Sequence, residues 1–283
     1  MRPLGSWTFD AGLRPVRHAL AAAALVVLWA GPAPAAEEDV WTDLKGDIFG
    51  DRRIEDGTAR LTLEAPKRAH DAALVPIRIR TAQPKGPGDA IKAVTLVIDK
   101  NPAPVAAVFE LGPESGIAAL STRVRVDSYT HVRAIAETRD GRLLMVSRFV
   151  KASGGCSAPA GKDPKAALAH MGRMKLRQFT PKPGADGRRE AQLMIRHPNH
   201  SGLQMDLLSG GYVPAHFVRK IDIHQGDKLL LSVEGAISLS EDPTVRFDYR
   251  PQGQAKLRAR VEDTDENVFS GSWPVQRAKQ EGS

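Results

Sequence analysis

The sequence predicts an all-β chain of two immunoglobulin-like β-sandwich domains in tandem, joined by a glycine-rich, cysteine-bearing linker with a short helix. Three observations predict it. Apolar and polar residues alternate in short runs, the period of a half-buried strand. The 20 prolines and 25 glycines are spread along the chain, which favours many turns over long helices. Between residues 151 and 189 the alternation stops, leaving a stretch of domain size on either side.

Residues 1–35 read as a secretory signal and not as part of the fold. Arg14, Arg17 and His18 precede an apolar run over 19–30, Gly31-Pro32 breaks it, and Ala33-Pro34-Ala35 offers a small-x-small cleavage site. The apolar run is too short to span a bilayer comfortably. Cleavage after Ala35 is the expectation, with a periplasmic mature chain starting at Ala36. No later stretch is apolar enough to cross a membrane.

The first domain is expected over 36–150. Trp41, Leu44, Ile48 and Phe49 fall at helical spacing and predict a short amphipathic helix. Strands are expected over 60–63, 74–79, 91–99, 106–111, 121–126, 131–137 and 142–150. Arg139-Asp140-Gly141 marks the last hairpin, because Asp-Gly supplies the positive φ angles such turns use. Seven short strands in about 95 residues suit a sandwich. The Cys…Trp…Cys pattern of true immunoglobulin domains is absent.

Residues 151–189 form the linker. Lys-Ala-Ser-Gly-Gly-Cys-Ser-Ala-Pro-Ala-Gly, from Lys151 to Gly161, is too poor in apolar bulk to build a core. Asp163-Pro164 supplies an N-cap and a first-turn proline, so a short helix is expected to His170, ended by Gly172. The second domain is expected over 190–275, with strands at 191–196, 214–224, 228–234, 244–249, 255–262 and 268–274, and a polar tail over 276–283. Gln225-Gly226-Asp227 and Pro251-Gln252-Gly253 are turn signals between strands.

Charge narrows the function classes. The 283 residues carry a net charge of +7, and the part beyond residue 35 keeps 37 Lys and Arg against 32 Asp and Glu. These charges are interleaved, with no basic stripe and few aromatics, so no nucleic-acid partner is expected. The mildly basic surface reads first as ordinary solvated faces, and second as a surface suited to an acidic protein partner.

Cys156 is the only cysteine. In an exported protein it has no internal disulfide partner, so it is either buried and inert or kept for intermolecular chemistry. It follows Gly154-Gly155 directly. Those glycines remove side-chain bulk and loosen the backbone, which suits a hinge. Five extended residues reach about 17 Å, enough to present a thiol inside another protein's cleft.

These residues carry a resemblance. Lys151 to Cys156, closing a β domain, resembles the cysteine-bearing arm of SoxY, the carrier subunit of periplasmic sulfur oxidation; Ala65-Pro66 and Val75-Pro76 resemble the start of that domain. Arg196-His197-Pro198 with Ser201-Gly202, Pro214-Ala215-His216-Phe217, and 235–247 with Ser238 and Pro243 resemble its partner SoxZ. The fused order is similar to the quinoprotein dehydrogenase-associated SoxYZ-like carrier proteins, in which the cysteine segment continues as Gly-Gly-Cys-Ser-Ala-Pro-Ala, followed by Lys162-Asp163 and Gly172-x-Met174. The resemblance implies a carrier, not an enzyme, with Cys156 as covalent attachment point and Gly154 and Gly155 as hinge. It implies periplasmic oxidoreductase partners: a quinoprotein dehydrogenase, a c-type cytochrome or Sox-type enzymes. Whereas the SoxY arm ends Gly-Gly-Cys-Gly-Gly at a free terminus, Ser157-Ala158-Pro159 here leads into a second domain, so the arm is held at both ends.

Other constellations are weaker. His197 and His200 are three apart across a proline, and His216 and His224 share their domain, but no converging set of three or four metal ligands is evident, so no metal is expected. No nucleophile elbow, phosphate-cradling loop or Cys-x-x-Cys-His haem site occurs, and no cofactor is expected.

Overall fold

The computed structural model describes residues 40–159, 168–180, 186–206 and 209–276. The signal and cleavage site, most of the expected helix at 163–170, part of the 181–189 linker and most of the polar tail lie outside those residues. One helix, α1 (Val40–Phe49), precedes eight strands of the first half. They are β1 (Ile54–Asp56), β2 (Leu61–Glu64), β3 (Val75–Thr81), β4 (Ile91–Ile98), β5 (Val105–Leu111), β6 (Ala119–Val124), β7 (Thr130–Thr138) and β8 (Leu143–Val150). The second half holds β9 (Met174–Phe179), β10 (Arg189–Ile195), β11 (Val218–Gln225), β12 (Lys228–Gly235), β13 (Thr244–Tyr249), β14 (Leu257–Asp263) and β15 (Val268–Trp273). The tandem β-sandwich expectation holds. No helix among the described residues is long and apolar enough to cross a membrane.

Alternation sets which face each strand buries. In β3, Val75, Ile77 and Ile79 are buried while Pro76 and Arg80 are exposed. Each such aliphatic side chain contributes about 1.5–3 kcal/mol on burial. β7 departs from the pattern: Arg133 and Ile135 are buried along with Val132, Ala134 and Ala136. The cause is α1, whose Trp41, Leu44, Ile48 and Phe49 cover Val97, Ile135 and Leu143 on the outer face. Arg133 is tolerated there because it forms a fork with both Asp99 oxygens, at 2.8–2.9 Å, and stacks 4.3 Å from the Trp41 ring.

The two halves share their sheets. One sheet runs β1-β8-β7-β4-β5-β12-β11-β14-β15 and the other β2-β3-β6-β13-β10-β9. The seam is antiparallel in both layers: β5 pairs with β12 from Ala107↔Gly235 to Leu111↔Leu231, and β6 pairs with β13 at Ser121↔Arg246 and Leu120↔Phe247. A single core cluster spans both halves. Edges that two separate sandwiches would leave open are thereby satisfied. Beside the seam Gly112 donates to Leu230 O at 2.9 Å, and a Cβ there would lie 1.8 Å from Leu229 O.

Three local details differ from expectation. β9 lies within the stretch that reads as linker; it is an edge strand on β10, and its alternation, with Leu176 inward and Lys175 and Arg177 outward, is short and masked by charge. β1 is three residues long and pairs in parallel with β8. In the Asp140-Gly141 hairpin only Gly141 has positive φ, 88°, so it is a turn with one left-handed residue and not the type I′ form.

Candidate functional site

Beyond β8 the chain stays tied to the first half. Lys151 N donates to Lys67 O at 2.9 Å and Ala69 N to Lys151 O at 3.1 Å. Gly154 N donates to Asp127 O at 2.8 Å, Gly155 N to Val126 O at 3.1 Å, and Cys156 N to the Asp127 carboxylate at 3.2 Å. Both glycines have a local reason. Gly154 sits at φ 72°, which a Cβ disfavours. At Gly155 a Cβ would lie 2.2 Å from Ala72 O and 2.6 Å from Val126 O, so only glycine lets the segment reach this groove.

The second half closes over it. The Ser201 hydroxyl donates to Cys156 O, and Gln204 Nε2 donates to Ala158 O at 2.9 Å. Arg125, 1% exposed, spans the junction: one terminal nitrogen donates to Gly155 O and the other to Asn199 O, both at 3.2 Å. Cys156 is fully buried and unpaired. Burial, with the Asp127 charge added, pushes its thiol up to about 12, while Arg125 pulls the other way. The thiol is therefore protonated and sheathed in this arrangement. The expected hinge glycines are packed, not free, in the docked segment.

The loop over 197–204 is held by a buried hydrogen-bonded brace. Asp263 Oδ2 accepts from His216 Nε2 at 2.9 Å, from Asn267 Nδ2 at 2.9 Å and from His197 Nε2 at 3.4 Å. Its Oδ1 accepts the backbone N–H groups of Asp265 and Asn267 at 2.9 Å. Burial opposes ionisation of Asp263, but these donors outweigh it and hold the carboxyl down at about 2. His197 is lowered to about 4, chiefly by burial. Asn199, at φ 46°, caps the loop through bonds to Val218 N and Leu239 O.

His197, His216 and Asp263 are close enough to suggest a metal centre. The proton positions argue otherwise. Asn199 N–H donates to His197 Nδ1 at 3.1 Å, which places the ring proton on Nε2, the atom facing Asp263. A metal would need a lone pair there, with the other nitrogen donating outward. The residues do not fit a metal ion. His224 is remote, on β11 opposite Arg258.

Arg125, Asp127, Asn199 and Gln204 carry no sequence signal for this site. Arg125 lies between two buried valines, Val124 and Val126, and nothing along the chain says that it points at a segment 30 residues on. Ser201 and His197 lie in stretches that resemble SoxZ, and that resemblance is the one clue to the loop.

Comparisons with known proteins match both halves. The family described as sulfur oxidation protein SoxY matches residues 45–156, and the family described as sulphur oxidation protein SoxZ matches residues 178–274. No curated relative matches the chain. Among solved structures, the sulfur carrier protein SoxY from Chlorobium limicola f thiosulfatophilum is 25% identical, with 39% of this chain and 94% of that one covered and a TM-score of 0.33. A β-glycosidase from Bacteroides vulgatus is 12% identical, covers 76% of this chain and 24% of its own, and gives a TM-score of 0.23. The SoxY match ends on Cys156 itself, and the SoxZ match contains the loop that closes over it. The chain is a SoxY-family domain fused to a SoxZ-family domain, and belongs with the sulfur-oxidation carrier proteins built from that pair.

Proposed function

We propose that the protein is a periplasmic carrier whose Cys156 binds an intermediate covalently and alternates between the sheathed position and one presented to partner enzymes. The observation that carries this reading is the sheath: a lone thiol at the end of the SoxY match, enclosed by polar side chains from both halves. An inert core cysteine needs only apolar neighbours. Here the backbone beside the sulfur is held by two main-chain bonds, at Gly154 and Gly155, and otherwise by side chains that can let go, whereas the strands beneath it are fixed by continuous ladders.

Joining the Cys156 sulfur to a sulfur-containing anion forms an S–S bond and releases the thiol proton and two electrons. The reaction therefore needs an electron acceptor, the part a c-type cytochrome would play. The Gly-Gly-Cys-Ser-Ala-Pro-Ala continuation supports a quinoprotein dehydrogenase system as the setting. The buried thiol favours a second reading, a non-covalent accessory or docking module of such a dehydrogenase or its cytochrome, with Cys156 incidental. Intact-mass measurement on protein from its native periplasm separates them. An adduct lost in Cys156→Ser supports the carrier. An unmodified thiol throughout, with normal growth of the Cys156→Ser strain and unchanged pull-down partners, supports the docking module.

A further inference from the structure

The outer face of the six-stranded sheet holds a groove of about 830 Å³ that crosses the seam between the halves. One cross-strand row runs its width: Glu64, Arg78, Ser121, Arg246, Gln192 and Arg177 stand side by side on β2, β3, β6, β13, β10 and β9. Arg123 lies in the adjacent row, and Arg148 enters from the β8 side. The carboxylates of this face are already engaged. Glu64 pairs with Arg80 at 3.3 Å, and Glu190 forks onto Arg246 at 2.7 Å.

Three guanidinium groups in the groove's lining, those of Arg78, Arg123 and Arg148, have no carboxylate partner among the described residues. Arg123 donates only to Asp242 O and Thr244 Oγ1. Arg148 donates only to the neighbouring Ser147 O. Arg78 has no side-chain partner, and its Nε is buried and unsatisfied. A desolvated guanidinium donor without an acceptor is costly unless an acceptor arrives.

We propose that this groove docks an extended, carboxylate-rich segment of a partner protein. The three free guanidinium groups come from three strands and both sheets: Arg78 from β3, Arg123 from the neighbouring β6 one row away, and Arg148 from β8 of the other sheet. That spread suits a run of Asp and Glu side chains better than one small dianion. The groove also leads to the cysteine segment. Arg123 also lines a second cavity of about 320 Å³ with Arg125, with the carboxylates Asp71, Glu241 and Asp242, and with Ala158 and Pro159 just past Cys156. A segment seated in the groove would bring its parent protein to the exit of the sheathed arm. This last point rests on the carrier reading; the docking itself does not.

The test is fluorescence anisotropy with a labelled octaglutamate peptide, at low and at physiological ionic strength. The intact chain is expected to bind it, more weakly as salt rises. Arg78→Glu with Arg148→Glu is expected to lower the affinity at least about tenfold. Arg139→Glu, on the exposed β7–β8 turn, is expected to leave it within about twofold. Cys156→Ser is expected to bind as the parent does, so a failed carrier and a failed groove give different results. If the double reversal does not fold by circular dichroism, Arg78→Gln with Arg148→Gln takes its place. Four results overturn the proposal: unchanged binding in the groove variants; an equal loss in Arg139→Glu, which marks diffuse charge; displacement of the peptide by stoichiometric sulfate, which marks a small-anion site; or a dimer that Arg78→Glu disperses, which marks a second copy as the occupant.

Discussion

Cys156 has no exposed surface, and its thiol is held at about 12 against an ordinary value near 9. At pH 8 its thiolate fraction is about a thousandfold below that of an ordinary cysteine. Alkylation by iodoacetamide is therefore expected to proceed through undocked molecules alone. Ser201→Ala removes one hydrogen bond of the docked state, about 1 kcal/mol, and is expected to raise the alkylation rate about fivefold in a stopped time course followed by mass. The same shift sets a stability trend. Between pH 9 and about 12 the unfolded chain gives up the thiol proton while the folded chain keeps it, so stability is present below pH 9 and declines above it. Denaturant titrations over that range should show a shallower decline in Cys156→Ser.

At the scale of elements, the docked segment and the 197–204 loop act as a pair. Gly155→Ala places a methyl against Ala72 O and Val126 O, so the segment cannot seat. The expected result is an alkylation rate at least about tenfold above the parent, since the contact costs more than one hydrogen bond. Gly154→Ala meets only Ser157 Oγ, at an ordinary 3.8 Å, and pays chiefly for its positive φ, roughly 1 kcal/mol; its rate should rise less. The loop has its own pH limit. His197 takes up a proton near 6.5 when unfolded but only near 4 when folded. The unfolded state binds more protons between those values, so stability is present above pH 6.5 and is lost as pH falls toward 4. Melting temperatures from pH 7 down to 4.5 should fall less steeply in His197→Gln, from a lower start.

For the whole molecule the seam matters most. Strand pairing continues through β5–β12 and β6–β13, with one core beneath both sheets. A single calorimetric transition is expected, not one for each half. Gly112→Ala, whose Cβ would lie 1.8 Å from Leu229 O, should lower the stability of both halves together, by more than about 2 kcal/mol. Two separable transitions would show that the halves are independent sandwiches and that the shared sheets add little.

Much of this architecture could be read along the chain. Alternation marks the strands from β2 to β8 and from β10 to β15, because burial on one face repeats every second residue. Gly-Gly-Cys at the end of a β domain marks Cys156. The resemblance to SoxY and SoxZ placed His197 and Ser201 in one stretch. β9 was illegible, since its six residues carry Lys175, Arg177 and Gln178 and take their strand form from pairing with β10. The sheath was illegible for a different reason. Arg125, Asp127, Ser201 and Gln204 are ordinary polar residues, separated from Cys156 by 29 to 48 positions, and only the closing of two sheets across the seam sets them around it. Composition and local pattern determined that this chain forms β-sandwiches with one thiol between them. Whether that thiol is free or enclosed was decided by long-range contacts, which have no period along the chain.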